Sequence, residues 1–461
     1  MRTRTRFLLA ILLLTTLSCQ AATRLMQPPA PTPTSPPTAT LTPTPIPASP
    51  TPLPPTATPL PPSPTASPTP TLSPTPRPTT SPQHLQVFGE LWQVVKDNYL
   101  YQDFNGLDWD AVNEEYRQRI EAGLTQEEFY LAMDEIIERL GDEHSIFFSP
   151  QEASIEDSGF AGEYDYVGIG TLSSAVPERQ RLTIILVFPG SPAEEAGLQI
   201  HDSILAVDGQ PIIDESGLRA HSLRGPEGTQ VTLTVLTPGQ DPRQVILTRR
   251  KITSPLPVPH SLLASPAGKR VGYILLPTFN DINVGEQVGN ALHELGKDGP
   301  LDALIIDNRQ NAGGASNVLR DTLSYFTSGT VGHFVNRDGD SSLRVRGENV
   351  NGSQNVPLVV LVGPGTASFG EIFSGIMQDI GRAYLIGEQT DGNVEILYIY
   401  EFSDGSRVWL AHDTFRPLNN PGQDWEETGI LPDLTVASNW DEITMETDPA
   451  VRAALEYFDN R

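Results

Sequence analysis

The sequence predicts a multidomain α/β (α+β) protein, because three consecutive regions differ in their apolar pattern. Residues 84–158 carry apolar side chains at helical spacing, and residues 159–253 read as short alternating strands separated by turn residues. From residue 254 to residue 461, strands and helices alternate, which indicates an α/β core. We therefore expect an N-terminal helical region, a small β-rich domain and an α/β core.

The helical region contains a recognisable helix start. Thr125 stands three residues before Glu128, and the apolar-periodic segment 129–137 follows, so the pair predicts a capping box. The region ends near Gly141 and His144.

The first 83 residues are not expected to contribute to a core. Residues 1–19 place three arginines before the apolar run Phe7–Leu14 and end at Cys19, a pattern typical of an export signal. Because Cys19 follows a small residue, the segment resembles a bacterial lipobox, which implies that Cys19 becomes the lipidated N-terminus. Cleavage without lipid is the alternative. Residues 20–83 are rich in Pro and Thr and predict a disordered linker.

Charge and cysteine content exclude several classes of partner and cross-link. The formal net charge of −27 argues against nucleic acid and against an anionic membrane surface as partners. The chain is expected to meet a membrane only through the lipid anchor, facing the periplasm or the cell exterior. With one cysteine, no intramolecular disulfide can form.

The β-rich region carries several motifs in a characteristic order. Gly168-Ile169-Gly170 leads a strand, residues 190–198 contain a short helix with a glycine stop, and Asp208-Gly209 closes a strand. This order resembles a PDZ domain of the bacterial protease type. PDZ domains add a peptide to a sheet edge and hold its terminal carboxylate on backbone amides. The resemblance implies that Gly168, Ile169 and Gly170 bind peptide; a module that only packs is the alternative.

One serine lies at a strand-to-helix joint in the core. The apolar strand Val359–Val362 runs into a Gly/Pro turn and then a helical pattern, with Ser368 between them. At a helix start, the dipole and free N–H groups can stabilise an oxyanion. A simple N-cap serine is the structural alternative. The adjacent Gly313 and Gly314 follow another buried strand and would let backbone donors approach a substrate.

Five motifs of the core occur in one order. They are Asp307–Gly314, Gly365–Glu371, Gln378–Glu388, Gly429–Asp433 and Asp448–Glu456. From about residue 84 to the end, the chain resembles the C-terminal processing peptidases, or tail-specific proteases, which are S41-type serine peptidases with a PDZ domain and a ClpP/crotonase-like core. The resemblance implies an extracytoplasmic serine endopeptidase that cleaves polypeptides near exposed C-termini. Ser368 would be the nucleophile, and Gly313 or Gly314 with the N–H of Phe369 the oxyanion hole.

One residue departs from the family pattern. The family's general base is a lysine in a Thr-x-Gly-Lys segment, and here that segment is Thr390-Asp391-Gly392-Asn393. An asparagine amide has no usable basicity near neutral pH. No lysine follows Lys297 that could replace it. A serine–lysine dyad is therefore not expected.

A histidine base is the first way to restore catalysis. His144 lies where the related tricorn-type proteases carry their catalytic histidine, and Glu426 resembles their orienting glutamate. An imidazole suits proton transfer near neutral pH, and a carboxylate would fix its tautomer. A structural role for His144 is the alternative. His412 is a second candidate base, with a sheet-surface role as its alternative.

Loss of catalysis is the second way to accommodate Asn393. The chain would then be a surface-tethered peptide-binding or scaffold protein of the same fold. A purely structural surface protein would leave Ser368 and the glycine loops unexplained. Glu371 and Glu395 are further carboxylates near the site and are expected to be structural. The sequence shows no metal-ligand spacing, so no metal or cofactor is expected. The natural substrate and the oligomeric state stay open.

Overall fold

The computed structural model describes residues 81–142, 144–160, 166–214 and 217–461. The predicted export signal, Cys19 and nearly all of the predicted linker lie outside these residues. The helices are α1 Pro82–Asn98, α2 Trp109–Glu121, α3 Gln126–Glu138, α4 Pro150–Phe160, α5 Pro192–Glu195, α6 Val284–Gly296, α7 Ser316–Ser324, α8 Phe369–Asp379, α9 Trp425–Thr428 and α10 Pro449–Asp459. Among those helices, none is long and apolar enough to cross a bilayer.

The strands fall into a few hydrogen-bonded sheets. They are β1 Ile146–Phe148, β2 Tyr166–Gly168, β3 Thr171–Val176, β4 Arg181–Val187, β5 Ser203–Val207, β6 Gln210–Pro211, β7 Ile213–Asp214, β8 Gly217–Leu218, β9 Gln230–Leu236, β10 Arg243–Thr248, β11 Arg250–Ile252, β12 His260–Ala264, β13 Arg270–Leu275, β14 Ala303–Asp307, β15 Gly329–Asn336, β16 Gly339–Val345, β17 Leu358–Val362, β18 Tyr384–Gly387, β19 Ile396–Glu401, β20 Arg407–Pro417 and β21 Leu434–Thr435.

The helical region is built on a sheet of the core. Strand order in this sheet is β1-β20-β15-β16, with β19 also paired to β20. Apolar side chains of α1–α3 share one buried cluster with β1 and the β19–β20 hairpin, including Phe147, Val408 and Leu410. The predicted capping box at α3 is confirmed, because Glu128 N donates to Thr125 Oγ1 and Thr125 N donates to Glu128 Oε2. The segment after α3 is fixed against the core by β1, which pairs antiparallel with β20.

The β-rich domain forms its own sheet, in the order β10-β9-β5-β4-β3 with β6 on β5. Strand β3 is an edge strand of this sheet, and the Gly168–Gly170 loop leads into it. The predicted Asp-Gly turn after β5 is present: Asp208 and Gly209 both have positive φ, 48° and 77°. Two left-handed residues in succession are what a tight hairpin turn of type I′ requires. A peptide could extend the sheet at β3.

The α/β core has the sheet order β12-β13-β14-β17-β18-β21. Strand β12 is antiparallel to β13, and the remaining neighbours are parallel. Strands β14 and β17 are buried along their whole length. Because these two parallel strands are adjacent, the loops that follow them leave the sheet at the same edge. Ligand sites of parallel α/β sheets lie at that carboxyl edge.

Candidate active site

Ser368 occupies a strained turn between β17 and α8. Its backbone angles are φ 52° and ψ −129°, a conformation that a non-glycine residue seldom adopts. A strand–serine–helix turn of this kind presents a hydroxyl at the edge of the sheet. Ser368 holds the N-cap position of α8, but its side chain makes no cap hydrogen bond. In the described ranges its hydroxyl has no hydrogen-bond partner, so the N-cap alternative does not account for this serine.

Backbone contacts from two loops hold the turn. Ser368 N donates to the carbonyl of Asn393 at 2.7 Å, and Gly370 N donates to Ala367 O at 2.9 Å. From the loop after β14, the carbonyl of Asn308 accepts the hydroxyl of Thr366 at 2.9 Å. These hydrogen bonds fix the position of Ser368, which is half-buried, within the core.

The space beside the serine hydroxyl is open only because residue 313 is glycine. A Cβ at Gly313 would lie 2.6 Å from Ser368 Cβ, 2.9 Å from the amide N of Phe369 and 3.0 Å from Ser368 Oγ. Among the residues that the structure describes, the N–H of Phe369 has no acceptor. A carbonyl oxygen entering this space would meet that N–H next to the nucleophile, which is the arrangement of an oxyanion hole.

The two adjacent glycines have different surroundings. The N–H of Gly313 donates to Asn311 Oδ1 at 3.0 Å. Gly314 lies against a neighbouring backbone instead, since a Cβ there would come 2.1 Å from the carbonyl carbon of Phe279. The N–H of Gly314 finds no acceptor within the described part of the chain. Of the sequence-predicted oxyanion group, Phe369 and Gly313 are therefore the residues that line the space at Ser368.

His144 and Glu426 form a side-chain pair, although 282 residues separate them. His144 Nε2 lies 2.7 Å from Glu426 Oε1, and the imidazole is only 6% exposed. The amide of His144 donates to Asp142 Oδ1 at 3.0 Å. Burial lowers the pKa of His144, but the hydrogen bond and charge of Glu426, with the charges of Glu395 and Asp142, raise that pKa to about 9. At neutral pH the imidazole of His144 is therefore mostly protonated.

The loop from residue 390 to residue 395 connects the serine to this pair. Asn393 O accepts from Ser368 N, while Val394 N donates to Glu426 Oε2 at 2.7 Å. The buried Glu371 holds the loop: its carboxylate accepts from the amides of Gly392 at 2.9 Å and Asn393 at 2.8 Å. Burial raises the pKa of Glu371 to about 7 despite these hydrogen bonds. The expectation that Glu371 is structural agrees with these contacts.

The remaining candidate base is engaged elsewhere. His412 lies in β20, and its Nδ1 is 2.5 Å from Asp413 Oδ1. Its ring stacks on Tyr398 with a centroid distance of 4.0 Å. These contacts fit the sheet-surface role that the sequence left open for His412.

Two residues beside the His144 pair were not assigned to the site from the sequence. Glu395 was expected to be structural, but its Oε2 lies 3.9 Å from His144 Nε2. Its other oxygen accepts the phenol of Tyr101, which follows α1 in the helical region. Burial raises the pKa of the Glu395 carboxyl to about 7, while the charge of His144 lowers it. Tyr101 is 294 residues from Glu395, and no sequence motif links the two.

In the predicted peptide-binding loop, the carbonyls of Ile169 and Gly170 are hydrogen-bonded. Ile169 O accepts from Ala193 N at 2.9 Å, and Gly170 O accepts from Phe188 N at 3.0 Å. Across the described ranges, the amides of Ile169 and Gly170 have no acceptor. Gly170 has φ +84°, which glycine adopts without strain. The loop can present N–H donors at the open edge of β3.

Fold and site together define a serine-type hydrolase with a PDZ domain. Family models match three parts of the chain: Peptidase family S41 at residues 270–436, the Tricorn protease C1 domain at residues 81–138 and a PDZ domain at residues 183–237. These segments coincide with the α/β core, the helical region and the β-rich domain. The predicted fold class and the predicted enzyme class are confirmed.

Relatives of known name extend over most of the chain. The carboxyl-terminal-processing protease of Synechocystis sp. is 35% identical over 374 residues, which cover 79% of this chain and 84% of the relative. The carboxyl-terminal-processing protease of Picosynechococcus sp. is 32% identical, and the match covers 80% of this chain and 87% of the relative. A solved structure, the photosystem II D1 C-terminal processing protease, is similar with a TM-score of 0.54 and 26% identity over 81% of this chain and 99% of that chain. The chain belongs to the carboxyl-terminal-processing protease family of S41 serine peptidases.

Proposed function

We propose that this protein is an extracytoplasmic endopeptidase that cleaves polypeptides near their C-termini, with a histidine in place of the family's lysine as general base. The single observation that carries the proposal is the hydroxyl of Ser368, which has no partner among the described residues and is held in a strained turn beside the N–H of Phe369, likewise without an acceptor there. Neither strain nor an open space at Gly313 serves the packing of the core. Both serve a nucleophile that attacks a carbonyl.

The proton of Ser368 passes to His144. Glu426 occupies Nε2 of the imidazole, so Nδ1 is the nitrogen that takes the proton as the hydroxyl attacks. The N–H of Phe369 stabilises the negative oxygen that develops on the scissile carbonyl. The imidazolium, stabilised by Glu426, then gives its proton to the leaving amine, and water repeats the sequence on the acyl-enzyme. Only the fraction of His144 that is neutral can begin this cycle.

Substrate selection falls to the PDZ domain. The amides of Ile169 and Gly170 would bind the terminal carboxylate of a polypeptide, and the chain before it would pair with β3. The names of the Synechocystis and Picosynechococcus relatives, carboxyl-terminal-processing protease, support cleavage close to that bound end. Unfolded or exposed tails fit this arrangement, because a folded C-terminus cannot add a strand to a sheet edge.

The location follows from the first nineteen residues. Export through the signal and lipid attachment at Cys19 would hold the peptidase at the outer face of a membrane, with residues 20–83 as a tether. Metabolic labelling with a fatty acid tests this directly. The full chain should take up the label, and Cys19→Ala should not; label on the Cys19→Ala variant would contradict lipidation at this residue.

Activity is tested by trapping the nucleophile. A fluorophosphonate should label the full exported chain once, and peptide mapping should place the label on Ser368. Ser368→Ala should abolish both labelling and hydrolysis of a peptide that ends in a free carboxylate. Hydrolysis by Ser368→Ala at the wild-type rate would refute the proposed nucleophile.

A catalytically impaired, tethered peptide-binding protein is the second candidate. It is favoured by Asn393 in place of lysine and by the imidazolium form of His144 at neutral pH. This candidate predicts tail binding that is the same for wild type and Ser368→Ala, with no labelling and no hydrolysis from neutral to alkaline pH. Any labelling that depends on Ser368 and His144 excludes it.

A further inference from the structure

Two carboxylates face one imidazole at the edge of the proposed active site. His144 Nε2 lies 2.7 Å from Glu426 Oε1 and 3.9 Å from Glu395 Oε2, and the ligand atoms that these three residues offer all lie within 4.8 Å of one another. The side chains of His144 and Glu395 are 6% and 2% exposed, and that of Glu426 is 24% exposed. One nitrogen and two oxygens therefore converge where little water can reach.

The second oxygen of Glu395 is an unsatisfied buried atom. Oε1 accepts the phenol of Tyr101, but Oε2 is buried without a hydrogen-bond partner in the described part of the chain. Leaving a buried carboxylate oxygen without a donor costs free energy. Among the described residues, His144 is the only basic side chain within 4.0 Å of either Glu395 or Glu426. When Glu395 is ionised, two negative groups share a single positive one, and a cation would balance them.

The donor set selects the kind of cation. Zn²⁺ combines imidazole nitrogen with carboxylate oxygen in four-coordinate sites at about 2.0–2.2 Å, while Mg²⁺ and Ca²⁺ prefer six or more oxygens. Ligand atoms around a tetrahedral Zn²⁺ lie about 3.4 Å apart at those bond lengths. The observed separations of 2.7 and 3.9 Å bracket that value, so Zn²⁺ binding requires the Glu426 carboxylate to move away from His144 and the Glu395 carboxylate to move towards it.

We propose that His144 Nε2, Glu395 Oε2 and Glu426 Oε1 form a Zn²⁺ site, with the fourth position open to water. Zn²⁺ takes the place of the proton shared by His144 and Glu426, so binding releases a proton. Because an imidazole that binds zinc through Nε2 carries its proton on Nδ1, the nitrogen that would accept the proton of Ser368 is occupied, and bound zinc switches off the base. Zinc binding is inferred from the positions of the three side chains alone. The inhibitory effect also rests on the proposed function, in which His144 is the base.

Binding is measured on the full chain after treatment with a chelator. Titration calorimetry should show one Zn²⁺ per chain for wild type and for Ser368→Ala, and no comparable site for Mg²⁺ or Ca²⁺. Glu395→Gln should weaken Zn²⁺ binding at least about tenfold, since even outer-shell partners of a metal contribute that much. Equal affinity of wild type and Glu395→Gln, or no binding by wild type, would overturn the site.

Two matched variants test whether zinc binds elsewhere. Glu427→Gln removes an exposed carboxylate next to Glu426, and His333→Ala removes a surface histidine that pairs with Asp340 at 3.1 Å. Both should bind Zn²⁺ like wild type. Loss of binding in His333→Ala with retention in Glu395→Gln would assign the metal to the surface pair and refute the proposal.

A spectroscopic measurement on wild type covers the case in which Glu395→Gln does not fold. Co²⁺ replaces Zn²⁺ and absorbs strongly in the visible only in four- or five-coordinate sites. A strong band at one equivalent supports the site, and a weak, six-coordinate spectrum contradicts it.

Hydrolysis assays separate this inference from the proposed function. In an active enzyme, Zn²⁺ should inhibit hydrolysis and a chelator should restore the rate. The Glu395→Gln variant should need a Zn²⁺ concentration at least about tenfold higher than wild type for the same fractional inhibition, with each protein compared with its own metal-free rate. Zinc binding by a protein that never hydrolyses peptide would support the site and refute the proposed function. Hydrolysis by a protein that does not bind zinc would refute the site alone.

Discussion

The two halves of the candidate active site are held in different ways. Ser368, Phe369 and Gly313 are positioned by backbone hydrogen bonds and by close contacts between the loops that follow two adjacent parallel strands. His144 and Glu426 are positioned by a side-chain hydrogen bond across 282 residues of sequence. The nucleophile half is therefore a property of the core, whereas the proton-transfer half exists only when the helical region is docked on the core.

That docking has its own visible contacts. Leu100 N donates to Ala411 O at 2.9 Å, and Ala411 N donates to the hydroxyl of Ser145, the residue after His144, at 3.0 Å. Tyr130 donates to Asp404 at 2.9 Å. The β19–β20 hairpin is thus the surface that fixes His144 relative to Ser368. Changes in the proton-transfer half should affect catalysis without removing the serine's strained turn.

The largest expected effect comes from removing the base. His144→Ala should lower kcat/KM about 10³-fold, within the range of general acid–base catalysis, because His412, the other candidate base, already pairs with Asp413. His412→Ala is the matched control, since it removes a partly buried histidine that already pairs with Asp413, and it should stay within about twofold of wild type. Steady-state hydrolysis of a tail peptide measures both. A large loss in His412→Ala with little change in His144→Ala would reverse the assignment.

The nucleophile half is tested by closing the space at the serine. Gly313→Ala places a methyl group within 3.0 Å of Ser368 Oγ and of the Phe369 amide, and should cost about 10²-fold in kcat, as loss of an oxyanion donor does. Gly268→Ala is a control with similar backbone strain, because Gly268 has φ +84° against +90° at Gly313 and open space around it. It should lose stability but keep kcat. Equal kcat losses in both variants would mean that strain, not the filled space, is responsible.

The nucleophile half is more predictable from the sequence than the proton-transfer half. The strand–turn–serine–helix pattern and the double glycine are local, and local patterns report local backbone geometry. His144 and Glu426 could be named only through a family resemblance, since nothing in either segment specifies the other. Glu395 was placed near the site, but its contacts with Tyr101 and His144 could not be predicted, because they depend on how α1 and the β19 strand pack.

The pH dependence of hydrolysis sharpens the role of Glu426. With the pKa of His144 raised to about 9, the base is mostly protonated at neutral pH, so kcat/KM should rise with pH until about 9. Glu426→Gln removes the main group that raises this pKa, so the rise should move to lower pH by about one unit or more. A chelator in all assays keeps metal from contributing. An unchanged midpoint in Glu426→Gln would show that a different group titrates.

The PDZ domain should affect substrate affinity more than chemistry. A peptide with a C-terminal amide cannot place a carboxylate on the amides of Ile169 and Gly170, so its KM should be about tenfold higher than that of the free acid, with a similar kcat. Gly168→Val, which crowds the side chain of Tyr166, should reduce this difference between the two peptides. A difference that persists in Gly168→Val would place carboxylate recognition outside this loop.

The smallest effect is on stability, and it isolates the strain at the nucleophile. Ser368→Ala keeps a Cβ at φ 52° and ψ −129°, whereas Ser368→Gly removes it, so the glycine variant should unfold with a free energy about 1 kcal/mol higher than the alanine variant. Ala367→Gly is the matched control at a position without positive φ, and should be less stable than wild type by about 0.5 kcal/mol. Denaturant titrations measure all three. If glycine destabilises both positions equally, the turn at Ser368 is not strained, and its geometry cannot be taken as a mark of a nucleophile.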